Sequence, residues 1–374
     1  MRARSGEERG RPPGRRRGGP GLRAAAAAAP LAAVLAVCAG CSSGGSASGQ
    51  AATTPAATPG SAPGTPVTLQ QAYVSAIRRV LPSVVEIKTA SGLGSGVVYD
   101  TGGHIVTNAH VVGSARSFQV FQAGSAEPLQ ARLVGSYQPD DLAVIKITGS
   151  ARLTPAHFAN SPGLRVGDIV LAMGNPLGLS SSVTDGIVSA VGRTVSEPQE
   201  SGSPGATLPD AIQTSAPINP GNSGGALVNL ADQVVGIPTL AATDQQLGGA
   251  APGIGFAIPS SIVTDIAGQI IRTGRVTNSH RAALGLRVQT ITGPDGQPAG
   301  VGVVTVTSGG PAARAGLRPG DVITAVNGTA TRDTESLAAV LAQLRPGQQA
   351  SVRITRASGG TATVKITLGQ LPAS

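Results

Sequence analysis

Asn219-Pro220-Gly221-Asn222-Ser223-Gly224-Gly225 is the stretch on which the reading of this chain depends. A serine enclosed by glycines is a poor packing choice, because glycine loses more backbone freedom on folding than any other residue. Chemistry can justify it. Glycine at 221 lets two backbone N–H groups, its own and that of Ser223, point at one spot beside the hydroxyl. Two such donors stabilise the negative charge that develops when a serine attacks a carbonyl. Gly224 and Gly225 leave the hydroxyl uncrowded. Taken alone, the heptapeptide also reads as a polar surface turn, since Asn-Pro-Gly-Asn is good turn chemistry.

A serine hydroxyl is a weak nucleophile unless a base takes its proton and a third group orients that base. The chain has four histidines, at 104, 110, 157 and 280. His110 lies in Val106-Thr107-Asn108-Ala109-His110-Val111-Val112, where an apolar strand gives way to a turn. His104 follows Gly102-Gly103 and reads as a turn residue, His157 falls in the loop 155–160, and His280 sits in a polar connector. None has a metal-ligand spacing such as H-x-x-x-H. Asp141 opens Asp141-Leu142-Ala143-Val144-Ile145-Lys146, a run that must be buried. A buried carboxylate needs a partner, and an imidazole N–H supplies one. Asp140 competes for that role, but Pro139-Asp140 has turn chemistry while Asp141 directly abuts the apolar strand.

The order His110, Asp141, Ser223 is that of chymotrypsin. Gly221-Asn222-Ser223-Gly224-Gly225 also fits the nucleophile elbow of the α/β-hydrolases, which requires Ser, then Asp, then His along the chain. Only His280 follows Ser223, and the strand–elbow–helix context is missing, so an esterase of that type is disfavoured.

Composition supports a β-rich chain. Glycine is abundant (53 residues), aromatics are reduced to four Phe and three Tyr, and Val, Ile and Thr recur in short runs. Such runs, separated by turn signals, read as strands of barrels or a sandwich. The runs are 84–87, 96–99, 142–147, 169–173, 186–191 and 234–237. Of the formal +9 charge, residues 1–23 carry +6, which leaves +3 for the remainder. No basic face implicates nucleic acid. Both cysteines, Cys38 and Cys41, lie near the N-terminus, so the folded part has no disulfide framework, cysteine-based zinc site or cysteine nucleophile.

In chain order, Arg15-Arg16-Arg17 and Arg23 precede an Ala/Leu/Val run from Ala24 to Val37, the layout of an export signal. Ala39-Gly40-Cys41-Ser42 resembles the cleavage site of bacterial lipoproteins, which implies lipidation of Cys41; an uncleaved signal anchor and plain secretion are the alternatives. Residues 42–66, made of Ser, Gly, Ala, Thr, Pro and one Gln, read as a disordered linker. Apolar residues at 69, 73, 77, 80 and 81 predict a short amphipathic helix ended by Pro82. A loop is expected over 196–207, and a second helix over 259–273 with Ile262, Ile266, Ile270 and Ile271 on one face. The segment 275–282 is a polar connector. Beyond it a smaller domain, 283–370, has strands around one helix, in which Leu337, Val340, Leu341 and Leu344 share a face and Pro346-Gly347 is the stop.

Four blocks together, Thr107–Val112, Asp141–Lys146, Gly221–Asn229 and Gly255–Pro259, resemble the HtrA/Deg family of trypsin-like serine proteases. The resemblance implies a mainly β protein, with a double six-stranded β-barrel over 67–274 and the site between the barrels. It implies His110 as general base, Asp141 as its orienter, Ser223 as nucleophile, and the N–H groups of Gly221 and Ser223 as the oxyanion hole. One departure concerns the serine loop, where the family's Thr-Asp-Ala-Ala-Ile-Asn is replaced by Thr214-Ser215-Ala216-Pro217-Ile218-Asn219. Ser215 removes a carboxylate and Pro217 a backbone N–H. Walls of the substrate pocket are expected from Ile218, Thr239, Leu240 and Gly255; no acidic residue lies there, so small to medium aliphatic residues are the expected cleavage sites.

The smaller domain resembles a PDZ domain. Ala283-Leu284-Gly285-Leu286 looks like its carboxylate-binding loop, and Ala315–Ile323 and Val326-Asn327-Gly328 match its most recognisable run. A peptide C-terminus would then bind at Leu284, Gly285 and Leu286 by adding a strand beside 286–289. By resemblance the chain is an exported envelope endopeptidase acting on unfolded or damaged proteins, with its catalytic domain outside the cytoplasm and its N-terminus at the membrane. The resemblance also implies a trimer joined near Tyr73, and calls for no cofactor or metal. A peptide-binding chaperone with little proteolysis is the alternative.

Overall fold

The computed structural model describes residues 66–90, 92–175, 181–196, 206–219, 221–244 and 249–372. The expected export signal, Cys41, the linker up to Thr65 and most of the expected 196–207 loop lie outside the described residues. No helix among the described residues is long and apolar enough to cross a membrane.

Helix α1 (Pro66–Val80) passes into a single 3-10 turn at Leu81–Ser83, where Pro82 cannot continue the α-helical ladder. Six antiparallel strands follow: β1 (Val84–Lys88), β2 (Leu93–Val98), β3 (His104–Thr107), β4 (Ser117–Gln122), β5 (Leu129–Tyr137) and β6 (Leu142–Ile147), with a one-turn helix α2 (Ala109–Val112) after β3. They close into a barrel in the order β1-β2-β3-β6-β5-β4.

The second sheet holds β7 (His157–Phe158), β8 (Ile169–Gly174), β9 (Ser182–Ser196), β10 (Thr207–Thr214), β11 (Ala226–Asn229), β12 (Gln233–Asp244) and β13 (Gly249–Pro259). Its order is β11-β8-β9-β10-β13-β12-β7, and an additional β11–β12 pairing closes six of these strands into a ring. His157, read from sequence as a loop residue, lies instead in β7, which pairs in parallel with β12.

The apolar runs do not alternate with polar residues because both faces of many strands are buried. Strand residues point alternately to opposite faces. Val85, Ile87, Val98, Ile105, Ala143 and Ile145 fill the first barrel. Their neighbours Val84, Val97, Val106, Leu142 and Val144 turn outward and join Leu171, Met173, Ile237 and Ile258 in a core shared with the second sheet. Val170, Ala172, Ile212, Leu227, Val235 and Ala257 form the core of the second sheet itself. Helix α3 (Ser260–Thr273) seals the shared core with Val263, Ile266, Ala267 and Ile270, and ends at Gly274 in the left-handed conformation. Ile262 and Ile271 are only partly buried at its edge.

The connector is packed rather than loose. Val276 is fully buried, and the Gln269 side-chain oxygen accepts hydrogen bonds from the N–H groups of Thr277 and Asn278. The smaller domain comprises β14 (Ala282–Ala283), β15 (Leu286–Thr292), β16 (Pro298–Val306), α4 (Pro311–Arg314), β17 (Val322–Val326), β18 (Thr329–Ala330), α5 (Thr334–Ala342), β19 (Gln349–Thr355), β20 (Thr361–Thr367) and β21 (Gly369–Gln370). Its main sheet runs β15-β16-β17-β19-β20, which leaves β15 at an edge. Asp333 caps α5 through a reciprocal bond with Ser336. The helix ends at Ala342 rather than at Pro346; Leu337 is buried, while Val340, Leu341 and Leu344 are partly buried against the domain's core.

Truncating Ile145, fully buried in the first barrel, leaves a cavity that the barrel cannot close. Ile145→Ala is expected to cost about 2–5 kcal/mol in urea unfolding. Val166→Ala, at a position 64 % exposed, should stay within about 0.5 kcal/mol.

Candidate active site

The site begins where β3 ends. Asn108 caps α2 in an extended conformation, and its side-chain amide donates to the Asp141 carbonyl at 3.0 Å. The Ala109 N–H donates to the same carbonyl at 3.1 Å. These bonds bring the start of α2 against the turn before β6. The His110 N–H then donates to Asp141 Oδ1 at 2.9 Å, and His110 Nδ1 lies 2.8 Å from Asp141 Oδ2. Asp141 has φ 49° and ψ 43°, left-handed values uncommon outside glycine, asparagine and aspartate. That conformation aims the carboxylate back at the histidine. The Asp141 side chain is 2 % exposed and that of His110 26 %, so the acid is inside and the imidazole borders solvent.

An ionised carboxylate only accepts hydrogen bonds, so this contact places the imidazole proton on Nδ1 and leaves a lone pair on Nε2. A third donor completes the carboxylate shell: Thr239 Oγ1 reaches Asp141 Oδ2 at 2.5 Å. Thr239 also accepts the Ser223 hydroxyl on its carbonyl oxygen at 3.1 Å. One residue of β12 therefore links Ser223 to the His110–Asp141 pair. Thr239, expected on the substrate-pocket wall, is buried, and its hydroxyl serves a carboxylate that needs more than one donor at this depth.

The serine loop is clamped from the other barrel by Ser95 in β2. The Ser95 N–H donates to the Ser223 carbonyl at 3.0 Å. Its hydroxyl donates to the Gly221 carbonyl at 2.5 Å and accepts the Asn175 N–H at 2.8 Å. The Asn222 carbonyl accepts from Gly225 at 3.0 Å, so three successive carbonyls of the loop have donors within the protein. Gly221 has φ 107°, and Gly224, at φ 79°, passes so close to β2 that a Cβ would lie 2.3 Å from the Ser95 carbonyl oxygen. Both positions require glycine. Ser95 carried a signal that sequence reasoning left unused: in Gly94-Ser95-Gly96 it is flanked by glycines, as Ser223 is.

The departures at 215 and 217 are absorbed locally. Ser215 Oγ accepts the Ile187 N–H at 3.0 Å, and its own N–H donates to the Ile187 carbonyl at 3.1 Å. The Pro217 carbonyl accepts from Asn222 Nδ2 at 3.1 Å and from Thr184 Oγ1 at 2.8 Å. Of the expected pocket residues, Ile218 and Gly255 meet: a Cβ on Gly255 would lie 2.4 Å from Ile218 Cγ1. Leu240 is placed by its backbone, opposite Phe256 across β12 and β13.

Asp140 and Asp141 part company. Asp140 turns away to Arg281, whose Nη1 lies 2.9 Å from its Oδ1. Burial pushes the Asp140 carboxyl up to about 6 against the pull of Arg281, and Asp265 adds to the rise. His104 pairs with Asp100 at 2.8 Å, and His280 Nε2 lies 3.4 Å from Asp265; neither joins the site. In the smaller domain, Leu284 is buried in the core, Gly285 has φ 72°, and Leu286 opens the edge strand β15. The Leu284 and Gly285 carbonyls accept from Ala312 and Thr307 at 3.0 Å each.

Residues 94–237 match a trypsin-like peptidase domain and residues 282–368 a PDZ domain. The serine protease Do-like HtrA of Lactobacillus helveticus is 38 % identical over 291 residues, 74 % of this chain and 68 % of that protein. This chain belongs to the HtrA family. The serine protease PepD of Mycobacterium tuberculosis is 39 % identical over 310 residues, covering 78 % of this chain and 65 % of PepD. A DegP-like periplasmic endoprotease of Rhizobium meliloti is matched over 53 % of its length, so the chain spans about half to two thirds of these longer HtrA-type relatives. Among solved structures, the HtrA-type protease AlgW with a decapeptide aligns with a TM-score of 0.54 at 33 % identity, over 80 % of this chain and 99 % of AlgW. A serine endoprotease from Yersinia pestis aligns at 0.53 and 35 % identity, over 80 % of this chain and 98 % of that one.

Two outcomes follow from the site. Thr239→Val keeps the side-chain shape but removes the hydroxyl from Asp141; turnover should fall roughly tenfold to a hundredfold, the worth of a hydrogen bond to a charged group, with KM little changed. For Asp140 the folded-state value lies above the ordinary 3.8, so the fold binds its proton more tightly than the unfolded chain does. Its contribution is present below 3.8 and lost as pH rises towards about 6. Melting temperatures between pH 4 and 6.5 should therefore depend less on pH in Asp140→Asn.

Proposed function

We propose that this HtrA-family chain is an exported serine endopeptidase that cleaves unfolded or damaged proteins of the cell envelope. The observation that carries the reading is the continuous set of contacts from the Ser223 hydroxyl through Thr239 to the Asp141 carboxylate and His110.

In this reading His110 is the general base that takes the Ser223 proton. The hydroxyl rotates off the Thr239 carbonyl and attacks the substrate carbonyl. Asp141, with the Thr239 hydroxyl bonded to it, orients the ring and stabilises the imidazolium that forms. The N–H groups of Gly221 and Ser223 receive the developing oxyanion. The inward tethering of the Gly221 and Ser223 carbonyls to Ser95 supports that role, since a carbonyl turned the other way would repel the same charge. Apolar Ile218 beside Gly255 favours small to medium aliphatic residues before the scissile bond. At the PDZ domain, the edge position of β15 beside α5 suits a peptide C-terminus that adds as a strand, with its carboxylate at Leu284, Gly285 and Leu286. The sequence near the N-terminus supports attachment to the membrane, by a lipid on Cys41 or by a signal anchor. A homotrimer joined near Tyr73 fits the family.

The test is incubation of the protein with β-casein, an unfolded substrate, beside Ser223→Ala. Cleavage by the wild type after aliphatic residues, absent from Ser223→Ala, is expected. Suppressed aggregation without cleavage, even with C-terminal peptides present, would move the function to a peptide-binding chaperone.

A further inference from the structure

The turn that delivers Asp141 is held by a residue from outside the protease fold. Gln138–Asp140 form one 3-10 turn, closed by the Asp141 N–H on the Gln138 carbonyl at 3.0 Å. Arg281 Nη1 donates to the Pro139 carbonyl at 2.5 Å and to Asp140 Oδ1 at 2.9 Å. One guanidinium nitrogen thus ties together the last two residues before Asp141. The pair is deep, with side chains 11 % and 4 % exposed, so loss of Arg281 would leave a buried carboxylate without its cation.

The backbone of Arg281 is fixed to the smaller domain. Its carbonyl accepts the Leu371 N–H at 2.7 Å. Ser279 Oγ donates to the Leu371 carbonyl at 3.0 Å, and the Arg281 N–H donates to Ser279 Oγ at 3.3 Å. The next two residues form β14, which pairs with β21 at the end of the chain. Leu284 follows directly, at the expected peptide-carboxylate loop.

We infer that Arg281 is a positioning residue for the catalytic carboxylate: its guanidinium fixes the turn that presents Asp141. The inference rests on the Ser-His-Asp reading above. It makes the reactivity of Ser223 depend on the Arg281 guanidinium, which touches neither Ser223 nor the substrate. Asp265 faces Asp140 from α3, with His280 of the connector 3.4 Å from Asp265, and Tyr137 faces Asp140 from β5; Arg281 is the cation that bonds the turn.

The full-length protein, Arg281→Met, Arg281→Lys, Ser223→Ala and Arg356→Met are compared by the rate at which a fluorophosphonate probe labels them. The probe reads the nucleophile directly and has no peptide C-terminus for the PDZ domain. A chromogenic peptide amide supplies kcat and KM. Arg281→Met is expected to label about tenfold to a hundredfold more slowly, with kcat reduced in proportion and KM within twofold, as a misplaced catalytic group would give. Arg281→Lys, which keeps the cation but not the reach and planar shape of the guanidinium, should recover part of the loss. Arg356→Met breaks a similar pair, Arg356–Asp321 at 2.8 Å inside the PDZ domain, and should label like the wild type. Labelling of Arg281→Met at the wild-type rate overturns the inference. If Arg281→Met does not fold, wild-type labelling of Arg281→Lys overturns it. If wild type and Ser223→Ala label alike, the Ser-His-Asp reading falls first and takes the inference with it.

Discussion

The Asp141 carboxylate is the constraint around which the rest of the site is arranged. A charge at 2 % exposure is tolerable only when surrounded by donors, and three of them converge on it: the His110 N–H, the His110 ring and the Thr239 hydroxyl. The donors come from both halves of the protease domain, α2 at the edge of the first barrel and β12 in the second sheet. Satisfying one buried acid thus fixes how the two halves meet. The Ser95 clamp works in the opposite direction, from the first barrel onto the serine loop of the second. Together they tie each half to the other's functional residue.

Much of this was legible from residues alone, for physical reasons. Glycines around Ser223, a histidine at the end of an apolar strand and an aspartate at the start of another are local choices that tertiary packing does not improve on. The strands were legible as runs but not as faces, because residues such as Val84 and Val85 are both buried, one towards each core. Thr239 could not be read as a ligand of Asp141, since their contact spans 98 positions and a threonine in a strand is ordinary. Asp140 and Asp141 were separable in sequence by turn chemistry. The partner of Asp140 was not, because Arg281 lies 141 residues away in what read as a polar connector. The end of α5 was misjudged for a local reason: helix geometry stops at Ala342, two residues before the last apolar residue of the stripe.

The replaced residues 215 and 217 show how a loop can keep its shape after losing polar groups. Ser215 satisfies the edge of β9 with its hydroxyl and its own N–H, and Pro217 contributes only its carbonyl, to which Asn222 and Thr184 both donate. The loop is held by the Ser215 hydroxyl and N–H on one side and by the Pro217 carbonyl on the other.

The shared core between the barrels has a consequence for how the molecule is made. A ribosome delivers the first barrel before the second, and until then Val84, Val97, Val106, Leu142 and Val144 form a sticky stripe on its outer wall. Covering that stripe requires β8 and β12; β12 also brings Thr239 to Asp141, and Asn175, just past β8, donates to Ser95. A chain interrupted before β12 holds neither a sealed core nor Thr239. A product interrupted there exposes the apolar stripe, and the contacts around Ser223 and Asp141 come together only once β12 has been made.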